Sequence, residues 1–302
     1  AEMMVYGNAV AILNGDENPH DADHTKFRIL HVAGGTQARS FNVTNTGTLA
    51  LNLTGTPKVA ISGTHAAEFT VTTQPNTPVA VGGGSTTFVV TFDPAGLGVR
   101  TATVSLSNDD PDENPYVFAL QGTGVAPEIA LNATSADFGN VVLVGGTAAQ
   151  TFTISNSGTA ALNLTGTPKV AISGTYAADF TVTAQPSTPV AAGGGSTTFE
   201  VTFNPSGLST RTATVSIAND DTDENPTTIS LQGTGVAPEI VLSSNSQTIA
   251  NGDDTSSTVD GTDFGRVALL NTKVVQTFTI TNEGTSALNL TSTPQATLSG
   301  TA

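Results

Sequence analysis

The chain is poor in several residue types, and each shortage excludes a class of structure or chemistry. It has no Cys, no Trp and only 4 His among 302 residues. Without Cys there can be no disulfides and no thiolate nucleophiles, so each domain must be held together by its own core. No apolar run approaches the roughly 20 residues that a membrane-spanning helix needs. The sequence therefore predicts neither a disulfide-bonded scaffold nor direct insertion into a membrane.

Basic residues are also scarce. Lys and Arg together number 9 against 25 Asp and Glu, which gives a formal net charge of −16. Nucleic acids and anionic membrane surfaces bind proteins through basic patches, so we expect neither as a partner. The balance is instead typical of a soluble protein that can attract cations.

What the chain does contain is an internal repeat. Residues 50–129 align with residues 161–240 without a gap, and 63 of these 80 positions are identical. A third copy begins at Pro238 and carries FTITNEGTSALNLTSTP. We therefore divide the chain into a first unit (residues 1–126), a second unit (127–237) and a third unit (238–302). The length agrees with two or three domains.

The apolar residues of each unit alternate with polar ones. In the second unit Phe152 and Ile154 alternate with Thr and Ser, and Phe199, Val201 and Phe203 alternate with Glu200 and Thr202. A period of two residues is typical of antiparallel strands with one buried face. Turn signals such as NSG, TGTP and NPSG separate the runs. The expected fold is all-β, a series of tandem immunoglobulin-like β-sandwich domains joined by short, stiff segments around Pro127 and Pro238.

The third unit stops short of a complete sandwich. Its last residue corresponds to Tyr176 of the second unit, so the counterparts of Phe180, Phe199 and the final two strands are missing. Half a sandwich leaves an apolar face and strand edges uncovered. Two interpretations stay open: the array continues beyond this segment, or another chain completes the unit by adding strands.

Several motifs resemble a known family. They are FTI.N.GT.ALNLTGTP, the STTF.VTF.P segment, RTATVSI.NDD.DENP and LQGTG, and they cover nearly the whole chain. Together they resemble the choice-of-anchor D repeats of bacterial surface and secreted proteins, which are related to the Hydin and abnormal-spindle type of Ig-like domain. The resemblance implies Ig-like architecture and an extracellular or cell-surface location. It supplies no catalytic residues.

An acidic segment occurs twice, as NDDPDENP from Asn108 and as NDDTDENP from Asn219. Asn, Asp and Pro are turn formers, so one interpretation is an acidic hairpin turn between the last two strands. The other is a calcium site, because Ca²⁺ takes 6 to 8 oxygen ligands. The spacing does not match an EF-hand loop.

A second acidic segment gives the calcium hypothesis a geometry. The long loop Asn14–Phe27 of the first unit recurs in the third unit as Asn251–Phe264, but the second unit has a short form. In an Ig-like topology this loop could approach the acidic turn of the next unit, where crowded carboxylates would require a cation. We expect no cofactor to be required, and Ca²⁺ is the one candidate. The candidate ligands are Asp16, Asp23, Asp109, Asp110, Asp112, Asp220, Asp221, Asp223, Asp253 and Asp260.

Two further kinds of site are not favoured. HDADH at His20–His24 offers two His four apart, but its context is a loop rather than a zinc-binding helix. No Cys and no Gly-x-Ser-x-Gly motif is present, and no set of catalytic residues is predicted, so we do not expect an enzyme.

The differences between the first two units suggest a contact surface. Val89, Val99, Val117 and Ala119 of the first unit correspond to Glu200, Thr210, Thr228 and Ser230 of the second. Strand parity places all four on the solvent side. One interpretation is ordinary variation of surface residues, because isolated exposed apolar residues are normal. The alternative is that these residues form a lateral contact in an assembly.

The sequence therefore favours an extracellular structural repeat array: a spacer, stalk or filament-forming surface protein whose partners are itself or neighbouring repeats. The alternative is an adhesin-type module that binds a protein or glycan through its loop tips.

Overall fold

The computed structural model describes residues 1–268 and 272–299. Residues 269–271 and 300–302 of the third unit lie outside the described part. The fold is all-β with Ig-like sandwiches in tandem, as predicted. Where the structure describes the chain, its only helical segments are the 3-10 turns Ala66–Glu68 and Ala177–Asp179, and no helix there has the length and apolar content to cross a membrane.

The first unit is built from two sheets. Strands β1 and β2 form a hairpin through Asn8 and Ala9, and the order of the first sheet is β2-β1-β4-β7-β6. The second sheet has the order β3-β9-β8-β5. The strands are β1 Met3–Gly7, β2 Val10–Ile12, β3 Lys26–His31, β4 Gln37–Asn45, β5 Val59–Ser62, β6 Phe69–Thr73, β7 Gly84–Phe92, β8 Gly98–Leu106 and β9 Tyr116–Val125.

The second unit repeats this plan without the extra hairpin. Its sheets have the orders β10-β12-β15-β14 and β11-β17-β16-β13. Only β3–β9 and β11–β17 pair in parallel among the described strand pairs of these two units. The strands are β10 Ile129–Leu131, β11 Ser135–Val142, β12 Ala148–Asn156, β13 Ala171–Ser173, β14 Phe180–Ala184, β15 Gly195–Phe203, β16 Ser209–Ile217 and β17 Thr227–Val236.

Each of the two units has its own core, because the alternating apolar residues of its two sheets face one another. Across the two sheets Phe41 packs against Phe118 at 5.6 Å between ring centroids, and Phe138 packs against Phe203 at 5.9 Å. The first core draws its buried residues from Met3 to Leu120, and the second from Ile129 to Leu231. The cores are therefore separate along the chain.

The described part of the third unit forms one sheet, with the order β19-β18-β20. Its apolar residues are more exposed than those of the other units, for example Ile280 at 42% and Phe278 at 40%. The strands are β18 Ile240–Ser244, β19 Gln247–Ile249 and β20 Thr279–Asn282.

Candidate functional site

The acidic segments are hairpin turns, each joining the last two strands of its unit. The first connects β8 to β9 and the second connects β16 to β17. Their carboxylates are not equivalent, however. Asp110 is fully buried and Asp221 is 2% exposed, whereas Asp112 and Asp223 are exposed.

The first carboxylate of each turn binds a neighbouring loop. Asp109 accepts hydrogen bonds from the backbone N–H of Asn52 at 2.8 Å and from its side-chain Nδ2 at 2.6 Å. Asp220 does the same with Asn163, at 2.7 and 2.6 Å. These bonds to the ionised form lower the pKa of Asp109. Asp109 and Asp220 thus fix the turn to the rest of the sandwich.

The second carboxylate of each turn meets the first strand of its unit. The N–H of Met3 donates to Asp110 Oδ2 at 2.7 Å, and the N–H of Ile129 donates to Asp221 Oδ2 at 2.8 Å. Within the turn, Asn108 Oδ1 accepts the N–H of Asp110 at 2.8 Å. The acidic turn therefore lies at the end of the sandwich where the first strand begins.

Two more carboxylates join each buried aspartate. Glu2 and Glu113 lie with Asp110, and Glu128 and Glu224 lie with Asp221; in each set one oxygen per residue lies within 4.8 Å of the others. We call these sets the first triad (Glu2, Asp110, Glu113) and the second triad (Glu128, Asp221, Glu224).

Burial, together with neighbouring carboxylates, raises the pKa values of Glu113, Asp221 and Glu224. Burial, followed by the Asp110 and Glu2 carboxylates, raises the pKa of Glu113. Burial also raises the pKa of Asp221. Burial together with the charges of Asp223 and Asp221 raises the pKa of Glu224 to about 7. Burial and the neighbouring carboxylates both disfavour the charged forms of these groups.

The long-loop aspartates are bound locally instead. Asp23 is buried, and its Oδ1 accepts the N–H of Thr25 at 3.0 Å and its hydroxyl at 2.6 Å. Asp260 makes the same pair of bonds with Thr262, and Asp253 with Thr255. Asp16 Oδ1 accepts the N–H of Asn18 at 2.9 Å. Each of these aspartates closes a turn within its own loop.

The expected meeting of the long loop and the next acidic turn does not occur in the described structure. Residues Gly15 and Asp16 pair with β9 of their own unit, where Gly15 N–H donates to the Val117 carbonyl at 2.8 Å. That pairing holds the loop along the sheet edge. The prediction that the long loop, with Asp16, Glu17, Asp21 and Asp23, faces Asp220, Asp221 and Asp223 is corrected accordingly.

Other residues of the first unit face the second acidic turn. A cavity of about 270 Å³ lies between the two units, with the acidic turn and Glu128 on one side. Its first-unit wall is formed by residues 31–33 at the end of β3 and residues 95–97 before β8.

The segment that joins the units is fixed by hydrogen bonds to the second unit. Asn156 is fully buried, and its Oδ1 accepts the N–H groups of Glu128 and Gly158, each at 3.0 Å. Its Nδ2 donates to the carbonyls of Ala160 and Val190. The carbonyl of Ala126 accepts from Thr159 N–H at 2.8 Å. A buried amide thus satisfies four backbone groups around the joint.

The glycine two residues after this asparagine leaves room for the joining segment. A Cβ on Gly158 would lie 2.5 Å from the Ala126 carbonyl oxygen and from Glu128 N. The same Asn-x-Gly arrangement recurs at Asn45 and Asn282, whose Oδ1 atoms accept the N–H groups of Glu2 and Glu239. All three units therefore hold their leading segment in the same way.

Sequence reasoning missed these asparagines and the leading glutamates. The sequence motifs include Asn156 within the turn signal NSG, and they do not single out Asn45, Asn282, Glu2 or Glu128 as site residues. The available signal was recurrence: a Glu stands before the first strand of every unit, at Glu2, Glu128 and Glu239.

The predicted apolar contact patch is not continuous. Val89 lies on β7 in one sheet, whereas Val99, Val117 and Ala119 lie on β8 and β9 in the other. On the paired strands β8 and β9, Val99 lies opposite Thr123 and Ala119 lies opposite Thr103. Val99 and Ala119 are therefore not adjacent. Val99 is 55% exposed, but the other three are half-buried. One lateral contact cannot include all four residues.

Comparison with family models gives one match. Residues 127–234 match the HYDIN/CFA65/VesB-like Ig-like domain, so the second unit is an Ig-like domain by sequence as well as by structure. A comparison with curated proteins found no match.

Solved structures with similar folds include three at low identity. A protein of unknown function from Porphyromonas gingivalis W83 is 15% identical over 78% of this chain and 100% of its own, with a TM-score of 0.30. The PapD-like domain 7 of human CEP192 is 18% identical over 37% of this chain and 87% of its own, with a TM-score of 0.29. The Vibrio cholerae VesB protease is 20% identical over 35% of this chain and 31% of its own, with a TM-score of 0.28.

Proposed function

We propose that this chain is part of a structural repeat array of the choice-of-anchor D type, acting as a spacer or stalk outside the cell. The proposal includes no chemical reaction in this segment. Neighbouring repeats are the partners it assigns to the two ends of each unit.

The observation that carries the proposal is the joint between the units. The joining segment Ala126–Glu128 is short, and its backbone is bound to the second unit through Asn156, Thr159 and the carbonyl of Ala126. The segment Ala237–Glu239 makes the corresponding bonds to Thr285 and Asn282. A joint whose backbone groups are paired has little freedom to bend, which suits a spacer better than a flexible tether.

The experiment measures how stiff the joint is. Donor and acceptor dyes on exposed positions of the first and second units report the distance distribution by single-molecule fluorescence transfer. We expect one narrow distribution for the unaltered chain. Asn156→Ala should broaden it, because Glu128 N–H loses its partner, while Asn76→Ala on an exposed loop should leave it unchanged. A broad distribution in the unaltered chain would contradict the spacer function.

A second candidate is a binding module, and one surface feature favours it. A groove of about 530 Å³ lies on the outer face of β1 and β4, lined by Tyr6, Asn8, Asn42 and Thr44 among others. The Oδ1 atom of Asn42 is buried there without a hydrogen-bond partner. An aromatic ring beside amide groups is compatible with a carbohydrate ligand.

A glycan array tests this candidate. Binding that Tyr6→Ala abolishes would favour an adhesin-type module. The second unit has Asn132 at the corresponding position and serves as an internal control. No retained glycan would leave the spacer as the better description.

A further inference from the structure

The two carboxylate triads have the spacing of a shared cation site. In each triad the three ligand oxygens lie within 4.8 Å of one another. Calcium binds oxygens at 2.3–2.6 Å, so two oxygens on one ion are at most about 5 Å apart. The first triad combines a residue that precedes β1 with two residues of the β8–β9 turn, and the second triad repeats this with β10 and the β16–β17 turn.

A buried oxygen without a partner is present in each triad. The Asp110 side chain is fully buried, and its Oδ1 has no hydrogen-bond partner although Oδ2 is bound to Met3 N–H. In the second triad the unpartnered oxygen is Oε2 of Glu224, an atom that is buried although the Glu224 side chain as a whole is partly exposed. A carboxylate oxygen removed from water without a partner is costly. Such oxygens are expected where a ligand supplies the missing interaction.

No basic side chain neutralises the triads in the described part of the chain. The ion pairs found there are Glu68–Arg100 and Asp179–Arg211, and both lie away from the acidic turns. Three carboxylates whose oxygens lie within 4.8 Å of one another repel unless a cation or a proton intervenes.

We propose that each triad binds one hard divalent cation, with Ca²⁺ as the cation that fits best. All the ligand atoms are oxygens, which calcium prefers. Zinc prefers nitrogen and sulfur ligands, and the triads offer none. Magnesium demands near-ideal octahedral geometry and keeps its waters, whereas three carboxylates on a turn and a strand end suit the looser calcium shell.

The cation would join parts of the chain that are distant in sequence. It would bind the residue just before the first strand to the turn before the last strand, which in the second unit lies 93 to 96 residues later, from Glu128 to Asp221 and Glu224. Glu128 and Asp221 also line the cavity between the first and second units. The inference concerns each sandwich by itself and holds whether or not the array is a spacer.

Calorimetric titration of the full chain with CaCl2, after treatment with a chelator, tests the proposal. We expect two ions per chain, one for each triad. Asp110→Asn should remove one site and Asp221→Asn the other, because the amide keeps the bond to the strand N–H but loses the charge. At calcium concentrations near 100 times Kd, the melting temperature of the unaltered chain should rise by about 4 °C or more.

The control is Asp112→Asn, which removes one charge from the same turn at an exposed position outside the triad. It should keep two sites. If Asp110→Asn or Asp221→Asn fails to fold, Glu2→Gln and Glu128→Gln replace them, since both glutamates are exposed. Absence of binding and of any thermal shift up to about 10 mM calcium would overturn the proposal, as would full binding in the triad variants.

Discussion

The first and second units hold an equivalent arginine in different ways. In the first unit Arg100 donates to both oxygens of Glu68, with distances between 2.6 and 3.0 Å. In the second unit Asp179 stands in place of Glu68, and its nearest approach to Arg211 is 3.6 Å. Arg211 donates to the Leu208 carbonyl, as Arg100 does to that of Leu97, but it also donates to the Gly207 carbonyl and lies 4.6 Å from the centre of the Tyr176 ring.

The difference arises from one methylene group, because the Asp179 side chain is shorter than that of Glu68 by that group. The shorter Asp179 stays in an ion pair with Arg211 but beyond hydrogen-bonding distance, so its Oδ2 is left buried without a hydrogen-bond partner. Tyr176 replaces His65 and provides a cation–π contact where the forked ion pair is lost. The changes from Glu68 to Asp179 and from His65 to Tyr176 therefore replace the charged hydrogen bonds with a cation–π contact. The strand order stays the same.

The largest effect is expected from Tyr116→Thr, which installs the residue of the second unit. Tyr116 is 1% exposed, its hydroxyl donates to the Ile12 carbonyl, and burial raises its pKa to about 12. Loss of this buried ring should destabilise the first unit by about 3 kcal/mol. Hydrogen exchange resolved by unit measures the change. Thr227→Ala, the control in the second unit, should cost about 1 kcal/mol or less; equal costs would show that the ring does not hold the β1–β2 hairpin.

Glu68→Asp should make the first unit resemble the second at the ion pair. We expect a loss of about 2 kcal/mol because the charged hydrogen bonds to Arg100 are broken. Adding His65→Tyr should recover part of the loss through the ring contact. Denaturant unfolding of the single and double variants measures the recovery. No recovery would mean that Tyr176 does not compensate for the short carboxylate.

The same ion pair gives the first unit a distinct dependence on pH. Hydrogen bonds from Arg100 lower the pKa of Glu68 below its ordinary value of 4.5. Its contribution to the free energy of unfolding is therefore fully present above pH 4.5 and is lost as the pH falls through the folded-state pKa. Glu68→Gln should flatten the dependence in that window, as measured by melting temperature. An unchanged profile would show that another carboxylate controls it.

A smaller effect is expected at the start of β8 and β16. Gly98 has φ of +87°, and at the corresponding position Ser209 has φ of +76°, which L side chains rarely adopt. Ser209→Gly should stabilise the second unit by about 1 kcal/mol, and Gly98→Ser should cost the first unit a similar amount. If both substitutions raised the free energy of unfolding, or both lowered it, the conclusion that Ser209 is strained would be wrong.

The smallest effect is expected from Val89→Glu combined with Val117→Thr. Both side chains are half-buried on outer faces, and the second unit already carries Glu200 and Thr228 there. The free energy of unfolding should change by no more than about 0.5 kcal/mol. Because the two residues lie on different sheets, self-association measured by sedimentation should also be unaffected; a clear loss of association would restore the contact hypothesis.

The sequence predicted the strands better than the turns, for a physical reason. Phe199, Val201 and Phe203 alternate with polar residues, and this period directly reports which face is buried. The turn NDDPDEN has no such period. Its composition predicted an acidic hairpin turn but not the burial of Asp110, which a backbone N–H of the first strand approaches. That contact joins residues 107 positions apart, and no local pattern reveals it.

The long first loop suggests a use for the scaffold in protein engineering. Between Asp16 and Thr25, which both bond to β9, the first unit carries eight residues, whereas the second unit spans the corresponding gap from Thr134 to Ala136 with Ser135 alone. In both units the residues on either side of this loop keep the same register with the last strand. The sheet edge therefore tolerates loops of different length at this position. Because closing a longer loop costs little entropy, peptide epitopes grafted after Thr134 should be displayed without disturbing the sandwich beneath them.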